Sequence, residues 1–570
     1  MANTLTILDY IVFGLLLLGS SFIGLYHGYK SRNTPQTTKE YLVASQSVSW
    51  FPLFVSLVAS YLSAIALLGM PSEVYTYGVQ YFVIILSYPI FVGLCVYLYA
   101  PIFRRIGVTS AFDYLEKRFS FGVRLMGSIM FIVEYVLYLA VVFYAPSLAL
   151  KAVAGFPLPA SLVSTAIVCN IYTAIGGMKG VIWTDVFQMG VMVSGLIVVI
   201  AIGSNEVGGI RNVFEIANKG GRLNLFNFDP DPTIRNTFWT LVFGGAFSAM
   251  PVYCVGQMQV QRFMAGKSWK DVRFALFMNI PGLFLVVSLC VLTGLVMYAV
   301  YAECDLREMK HVQSNDQILA YFLVNKLSHL KGVPGIFMAS LFSGALSTAS
   351  SGLNSLAAVT LEDIVKKIYP NLSEERMTTC TKIIAFSYGL LVLGCSFLVS
   401  KVGTMVLQIA YSIHGILGTP YLGIFAMGML VPRASTFGAY VGGLFGFAVM
   451  MWLSIGAFIF PPDKGTLPVS ISECSNSTNS TITYPHTPHE HPLAGVFSIS
   501  YLWYAAIGTI LTFVVGCIAS LVSGGPDQPV AQELLFDYKK KLSLFYCEKR
   551  YRVNSMVLEE DRNEIELRTI

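Results

Sequence analysis

Charged residues are scarce in this chain of 570 residues. Asp, Glu, Lys and Arg together make up 12% of it, against 55% hydrophobic residues, and the mean hydropathy is +0.65. Soluble domains usually carry about 25% charged residues. The shortage of charge therefore excludes a soluble fold and predicts a helical membrane protein with many spans. The net charge of +5 identifies no partner, because Lys and Arg here set the topology.

Motifs for catalysis and for metal binding are also missing. The sequence contains no nucleophile elbow, phosphate-binding loop or metalloprotease motif, so we expect no enzyme activity. Its ten cysteines show no metal-ligand spacing. No basic residue precedes the first apolar stretch, which argues against a cleaved signal peptide. We expect the first span to be retained.

Long apolar runs dominate what is present. Windows of about 20 apolar residues, the length that crosses a bilayer, predict thirteen transmembrane helices. The windows lie near residues 7–28, 51–72, 79–103, 121–150, 158–177, 181–203, 237–262, 273–301, 333–360, 377–401, 403–431, 435–461 and 498–523. The predicted fold class is therefore an all-α polytopic membrane protein.

Basic residues fall in every second loop between the predicted spans. Because basic loops stay in the cytoplasm, we predict an extracellular N-terminus and a cytoplasmic C-terminus. Asn476 and Asn479 are glycosylation sequons in a loop that this rule places outside. Cys304 and Cys474 also lie in predicted outer loops, where oxidising surroundings favour a disulfide between them. Two free thiols are the alternative.

Two predicted spans contain helix-breaking sequences at matching positions. The second packs small and hydroxylated residues over 59–66, and the seventh contains Gly244-Gly245 and Met250-Pro251. Each opens a run of five spans, which is typical of inverted-repeat transporters with a mid-membrane binding site; ordinary kinked helices are the alternative. The predicted segments are a first span with its cytoplasmic loop (1–50), a five-helix repeat (51–203), an extracellular loop (204–236), a second repeat (237–433), two further spans with a glycosylated loop at 462–497 (434–523) and a cytoplasmic tail (524–570).

A stripe of polar side chains runs along the predicted ninth span. Ser343, Ser347, Ser350, Ser351 and Asn354 fall on one helical face, at spacings of three and four. Hard cations prefer oxygen ligands, so the stripe is a candidate cation site. Close helix packing through small residues is the alternative.

Three of the ionisable side chains within predicted spans are candidates for function, because charge is costly there and usually functional. Asp185 shares a helical face with Gln188. This pair fits a second cation site, a latch with a basic residue, or a carboxylate stabilised by the helix dipole. Glu134 lies mid-span and must be protonated, paired or in contact with water. His414 fits either a packing role or a proton relay.

Short stretches along the chain carry a family resemblance. They lie at 69–75 (Gly-Met-Pro-Ser-Glu-Val-Tyr), 108–116, 144–150, 181–188, 221–224, 229–232, 237–240, 257–262, 343–354 and 358–363. Together, and in this order, they resemble the sodium:solute symporter family. The branch is that of the sodium-dependent multivitamin, sodium-coupled monocarboxylate and sodium–iodide transporters. The resemblance covers nearly all of residues 5–525.

The resemblance implies thirteen spans, of which the second to the eleventh form the five-plus-five inverted repeat of the leucine-transporter fold. It implies Na⁺ as the coupling ion. The implied sodium ligands are the carbonyls of Ala59 and Leu62 and the side chains of Ser347, Ser350 and Ser351. The implied second sodium or coupling site uses Ser60, Asp185, Gln188 and Gln257.

The resemblance gives six candidate cargo-facing positions, which are Ser63, Ala66, Tyr144, Gly256, His414 and Glu134. Four of them, named next, depart from what relatives carry. Ala66 stands where the iodide carrier has glutamine, which argues against iodide. Gly256 replaces an asparagine, His414 replaces a phenylalanine, and Glu134 stands where many relatives have glutamine.

The sequence thus predicts a plasma-membrane symporter that imports a small organic anion with sodium. A monocarboxylate or a vitamin-like acid such as biotin or pantothenate fits best. We expect half-helix N-termini and sodium to hold the anion, because the broken spans carry no arginine. The alternatives are an iodide symporter, a sodium- or proton-gated sensor or leak channel, and a proton-coupled carrier that uses Glu134 or His414. The expected partners are the cargo, sodium and the lipid bilayer, with no nucleic acid.

Overall fold

The computed structural model of the protein describes residues 5–30, 44–306, 312, 314–327, 329–401, 405–460, 465–470, 492–526 and 528–537. Within these residues, the extended backbone pairs only at an isolated bridge between Val48 and Gly266. The all-α prediction is therefore confirmed. Ten of the described helices are long and apolar enough to cross a membrane, and two bent helix pairs raise this number to as many as twelve.

The helices follow the predicted apolar windows closely. They are α1 (Ile7–Lys30), α2 (Trp50–Tyr61), α3 (Ala64–Tyr77), α4 (Val79–Ile106), α5 (Asp113–Arg118), α6 (Phe121–Ala154), α7 (Leu158–Glu206), α8 (Ile210–Lys219), α9 (Thr240–Val255), α10 (Gln257–Ala265), α11 (Trp269–Val300), α12 (Ile318–Lys326), α13 (Val333–Ile368), α14 (Glu374–Val399), α15 (Val406–Leu430), α16 (Thr436–Ile459), α17 (Ala494–Phe497) and α18 (Tyr501–Val522). The windows 158–177 and 181–203 fall on the two arms of α7. The arms meet at Gly177, whose φ of 54° is readily adopted by glycine.

The first bent pair interrupts the membrane region where the sequence predicts it. α2 and α3 meet at 58°, and Leu62 and Ser63 lie between them with extended backbone. Ser63 begins α3 as its N-cap, because its side-chain oxygen accepts a hydrogen bond from the Ile65 N–H.

The second bent pair is interrupted at a different place from the one predicted. α9 and α10 meet at 53°, and the break falls at Gly256. The prediction that the breaks lie at Gly244-Gly245 and Met250-Pro251 is wrong. The helix continues through both sequences, because two π-turns, Thr240–Gly244 and Pro251–Val255, accommodate them.

Wide π-turns recur in the described helices. Five are present, at Cys95–Tyr99, Thr240–Gly244, Pro251–Val255, Leu361–Val365 and His414–Gly418. Each inserts one additional residue into a helical turn, and such turns are frequent at functional sites.

Helix α13 lies at the centre of the protein. In the apolar stretch of α13, 94% of the residues are buried inside the protein, compared with 28% in α14 and 33% in α16. Small residues permit this central position: a Cβ atom on Gly352 would lie 2.8 Å from Leu139 on α6. The apolar side chains that α14 and α16 leave exposed suit contact with lipid.

A buried ion pair joins α3 to the segment before α9. Arg235 donates from Nε to Glu73 Oε1 at 2.7 Å and from Nη2 to Glu73 Oε2 at 2.9 Å. Asn236 Nδ2 donates to Glu73 Oε1 at 3.0 Å, and Arg235 Nη1 donates to Gln408 Oε1 on α15 at 2.9 Å. We call these four residues the Glu73 cluster.

A second buried ion pair joins α6 to α13. Asp363 pairs with Arg124 and accepts hydrogen bonds from Ser110 Oγ at 2.9 Å and Ser128 Oγ at 2.5 Å. Arg124 also pairs with Glu116 on α5 at 2.6 Å. These five residues form the Asp363 cluster, which ties three helices and a loop together.

Asp316 is a buried carboxyl group in the segment between α11 and α13. Its Oδ2 accepts a hydrogen bond of 3.0 Å from the N–H of Val406 at the start of α15. The pKa of Asp316 is raised to about 7, mainly by burial. The negative charge of Glu73 also raises it, whereas the hydrogen bond from the Val406 N–H and the charge of Arg235 lower it. The folded state therefore binds this proton more tightly than the unfolded state, and stability falls as the pH rises from about 4 to about 7.

Replacing Asp316 should stabilise the protein more at high than at low pH. We expect Asp316→Asn to raise the melting temperature more at about pH 8 than at about pH 5. Thermal unfolding of the protein purified in detergent measures this difference. Asp231→Asn is the control, because hydrogen bonds from the Thr233 N–H and hydroxyl lower the Asp231 pKa. Equal shifts for Asp316→Asn at both pH values would contradict the prediction.

Candidate functional site

The serine stripe of α13 packs directly against the break between α2 and α3. A Cβ atom on Gly344 would lie 2.9 Å from the Ala64 N atom, so the absence of a side chain there allows the two backbones to approach. Thr348 Oγ1 lies 3.5 Å from the Ser60 carbonyl oxygen. The structure thus places the predicted serine ligands beside the interrupted helix that supplies Ala59 and Leu62.

The break leaves backbone groups outside the regular helical ladder. The Leu62 N–H still donates to the Val58 carbonyl, whereas the Ala66 and Leu67 N–H groups both donate to the Ser63 carbonyl. The carboxyl end of α2 and the amino end of α3 therefore meet here. The carboxyl end of α2 favours a cation and the amino end of α3 favours an anion, because of the helix dipoles.

The three predicted serine ligands are fully buried and hydrogen-bonded. Ser347 Oγ donates to Asp185 Oδ1 at 2.6 Å, and Ser350 Oγ donates to the Ser347 carbonyl at 3.1 Å. Ser351 Oγ accepts a hydrogen bond of 2.6 Å from Arg262 Nη2. The stripe is thus connected to a carboxylate on α7 and a guanidinium on α10.

Asp185 and Arg262 form a completely buried ion pair. Arg262 Nη2 lies 3.0 Å from Asp185 Oδ2, and both side chains have 0% exposure. Ser56 on α2 bridges the pair: its Oγ donates to Asp185 Oδ2 at 2.5 Å and accepts from Arg262 Nε at 2.8 Å. We call Asp185, Arg262, Ser56, Ser347 and Ser351 the Asp185 network. It joins α2, α7, α10 and α13.

Arg262 is the site residue that sequence reasoning missed. Its position at the end of an apolar window is that of a basic residue that sets topology. The expectation that the broken spans carry no arginine is wrong, because Arg262 lies within α10. Arg262 lies near the end of the second bent pair, and its Nη1 donates to the Met258 carbonyl at 2.8 Å. A signal existed, since three glutamines and an arginine within 257–262 are unusual in a buried helix.

The residues predicted for a second cation site separate into two groups. Gln188 lies one turn from Asp185, and among the described residues neither polar atom of its buried amide has a hydrogen-bond partner. Ser60 Oγ donates to the Ser56 carbonyl. Gln257 instead accepts from the Ala111 N–H at 2.7 Å, so its amide ties α10 to the loop before α5.

Glu134 and His414 lie together. Glu134 Oε1 is 2.7 Å from His414 Nδ1, and Glu134 Oε2 accepts a hydrogen bond of 2.6 Å from the Tyr421 hydroxyl. Glu134 is fully buried. The sequence leaves Glu134 protonated, paired or in contact with water, and the structure shows that it is paired. The His414 ring packs against that of Tyr138, with 4.6 Å between the ring centroids.

Three of the four remaining candidate cargo positions, Ser63, Ala66 and Gly256, lie at or next to the two helix breaks. Ser63 caps α3, Ala66 is buried one turn later, and Tyr144 on α6 is partly buried. At Gly256 a Cβ atom would lie 2.5 Å from the Val252 carbonyl oxygen. Glycine is therefore required at this break by close contact with the preceding turn.

The predicted extracellular modifications are only partly covered by the described residues. Cys304 is disulfide-bonded. Its predicted partner Cys474 and the sequons at Asn476 and Asn479 lie outside the described residues, so that pairing and the glycosylation stay predictions.

Comparisons with known proteins agree with this architecture. The family model described as "Sodium:solute symporter family" matches residues 41–446 of this chain. Sodium-coupled monocarboxylate transporter 1 of Mus musculus is 40% identical over 94% of this chain and 90% of that protein. Sodium-dependent multivitamin transporter of Oryctolagus cuniculus is 42% identical over 92% of this chain and 83% of that protein.

A solved structure supports the fold independently. It is the substrate-bound, outward-open state of a Na⁺-coupled sialic acid symporter, which aligns with a TM-score of 0.74 and 22% identity over 92% of this chain and 99% of that one. Since the family match spans more than half of the sequence and the two relatives exceed 30% identity over nearly all of it, this chain belongs to the sodium:solute symporter family.

Proposed function

We propose that the protein is a sodium-coupled symporter that imports a small organic anion, a monocarboxylate or a vitamin-like acid, across the plasma membrane. The observation that carries this proposal is the packing of α13, the helix that carries buried Ser347, Ser350 and Ser351, against the break at Leu62 and Ser63 through Gly344. Family membership and the names of two relatives, a sodium-coupled monocarboxylate transporter and a sodium-dependent multivitamin transporter, support the coupling ion and the cargo class.

The proposal includes thirteen spans, an extracellular N-terminus and a five-plus-five inverted repeat. The two bent pairs, α2 with α3 and α9 with α10, would then be equivalent helices of the two repeats. Support comes from their similar bends of 58° and 53° and from their positions, each at the start of a run of five predicted spans.

Sodium would bind where α13 meets the first break. The proposed ligands are the carbonyls of Ala59 and Leu62 and the hydroxyls of Ser347, Ser350 and Ser351. All are neutral oxygens, which a hard cation accepts, and the negative end of the α2 dipole points to the same place. A neutral ligand set holds sodium loosely enough for its release on the cytoplasmic side.

Arg262 would regulate access to this site. In the structure its guanidinium holds Ser351 and Asp185 at 2.6 and 3.0 Å. A guanidinium and a sodium ion both need these oxygens and repel each other, so sodium binding must weaken the contacts of Arg262. Because Arg262 is part of α10, ion binding would thereby shift the second bent pair.

The proposed second coupling site consists of Asp185 and the amide of Gln188, whose two polar atoms have no hydrogen-bond partner among the described residues. At −60 to −90 mV each entering sodium ion contributes roughly 1.4–2 kcal/mol from the membrane potential. One sodium ion with one monoanion moves no net charge and gains nothing from the potential. A second sodium ion would make uptake electrogenic.

Alternating access would require the polar clusters at the two ends to open in turn. In the predicted orientation the Glu73 cluster lies toward the outside and the Asp363 cluster toward the cytoplasm. Each joins different helices through several charged hydrogen bonds, which a closed gate needs and which rearranged helices can exchange for water.

Uptake measurements test the proposed function directly. Cells expressing the protein should accumulate labelled short monocarboxylates, lactate, biotin or pantothenate, and replacing sodium with choline should abolish this uptake. Sodium-dependent uptake of iodide alone would favour an inorganic-anion symporter. Uptake that persists without sodium at acidic pH would favour a proton-coupled carrier, and currents without any uptake would favour a channel or sensor.

Alanine substitutions test the sodium site. Ser350→Ala and Ser351→Ala should each raise the sodium concentration for half-maximal uptake by roughly three- to tenfold, the effect of losing one ligand oxygen. Ser343→Ala on the same helix is the matched control and should leave that concentration unchanged. Unaltered sodium dependence in both ligand variants, at normal surface abundance, would remove these serines from the site.

The ratio of charge to cargo tests the second site. If Asp185 binds a second sodium ion, wild-type uptake should carry one net positive charge per monoanion, and Asp185→Asn should reduce this ratio towards zero. The double variant Asp185→Asn with Arg262→Gln removes both buried charges and should give the same low ratio. A wild-type ratio retained in both variants would restrict Asp185 to the role of a latch.

A further inference from the structure

The Glu134–His414 pair lies deep among the transmembrane helices and has no role in the sodium site. Glu134 is fully buried on α6, and His414 begins the π-turn of α15. An ionised side chain in the membrane interior is costly and is retained mainly where it has a function. A pair that only stabilised packing could be replaced by apolar side chains at little or no cost.

Both carboxylate oxygens of Glu134 are occupied, and the group is held firmly. His414 Nδ1 and the Tyr421 hydroxyl bind separate oxygens at 2.7 and 2.6 Å. A Cβ atom on Gly418 would lie 2.7 Å from Glu134 Oε1 and 2.8 Å from Pro251 Cβ. The Glu134 carboxyl group is thus confined between α15 and α9, with each oxygen in contact with a different side chain.

The contact with Glu134 determines which nitrogen of the histidine ring is left for another partner. Nδ1 is engaged by Glu134 Oε1. A pair without net charge is the least costly state within the bilayer, and in such a pair Nε2 bears a hydrogen whichever of the two groups holds the shared proton. Nε2 is then the nitrogen left for another partner, and the His414 side chain keeps 9% of its surface exposed.

The surroundings of His414 connect it to the first helix break. Its ring packs on that of Tyr138 at 4.6 Å, and the Tyr138 hydroxyl lies next to the side chain of Ser63, the N-cap of α3. The positive end of the α3 dipole and the N–H groups of the His414 ring are therefore neighbours of the same tyrosine. Both attract an anion.

We propose that His414 determines cargo specificity by donating a hydrogen bond from Nε2 to the carboxylate of the cargo. Glu134 is the positioning residue, which fixes the orientation of the ring through Nδ1. This inference rests on the proposed function, since it names the group that recognises the anion. It assigns a carboxylate, rather than a halide or a neutral solute, as the feature selected.

Uptake kinetics with matched cargo test the assignment. For the best transported carboxylic acid and its uncharged amide, KM and maximal rate are measured in wild type and in His414→Phe. Loss of a charged hydrogen bond should raise KM for the acid roughly ten- to hundredfold and leave KM for the amide within about twofold. The sodium concentration for half-maximal uptake should stay unchanged, and the variant should therefore lose its preference for the acid.

Further variants separate recognition from folding. Glu134→Gln should raise KM for the acid less than His414→Phe does, because the ring remains but is no longer held by a carboxyl group. If His414→Phe fails to reach the surface, the double variant with Glu134→Gln removes both ionisable groups and provides the same KM comparison. Asp9→Asn is the matched control: Asp9 is a buried carboxyl group on α1 that accepts hydrogen bonds of 2.7 Å from the Thr6 and Gly332 N–H groups, and its replacement should lower surface abundance without changing KM.

These measurements distinguish a failure of the proposed function from a failure of the role proposed for His414. Wild-type cells without sodium-dependent uptake of any organic anion would refute the proposed function itself. Normal wild-type uptake, with an unchanged preference for the acid in His414→Phe or in the double variant, would overturn the role of His414 and leave the symporter proposal intact.

Discussion

The absence of water from the bilayer interior is the constraint on which this structure depends. A buried charge there must be balanced and hydrogen-bonded by the protein itself. The chain meets this requirement with clusters that each join several helices: the Asp185 network, the Glu73 cluster, the Asp363 cluster and the Glu134–His414 pair. The helices that carry these groups are therefore held in position by polar contacts as well as by packing.

The contacts in these clusters differ in what can replace them. Those within the Asp185 network involve oxygens that a cation can also bind, so the proposed ion entry would change the network at the centre of the protein. The clusters nearer the ends of the bundle contain guanidinium–carboxylate pairs, which water can solvate once the helices separate. In the proposed transport cycle, a change at the centre would be communicated through rigid helices to the places where opening is least costly.

The sequence predicts much of the fold because apolar length is a local property. The spans, the break near Leu62 and the serine stripe all follow from stretches of fewer than about 30 residues. The break at Gly256 does not, because π-turns let Pro251 remain inside a helix and move the interruption downstream. Partners such as Arg262 for Asp185, or His414 for Glu134, are set by helix packing over long separations, which spacing along one helix cannot reveal.

The π-turn at His414–Gly418 has a consequence for how this protein family diversifies. A π-turn contains one residue more than a regular turn, and the helix resumes its usual geometry on either side. Side chains within it can be exchanged without changing the register of α15 against its neighbours. The proposed cargo-selective residue thus lies at a point where a substitution would alter what is carried while the proposed ion site between α2 and α13 is inherited intact.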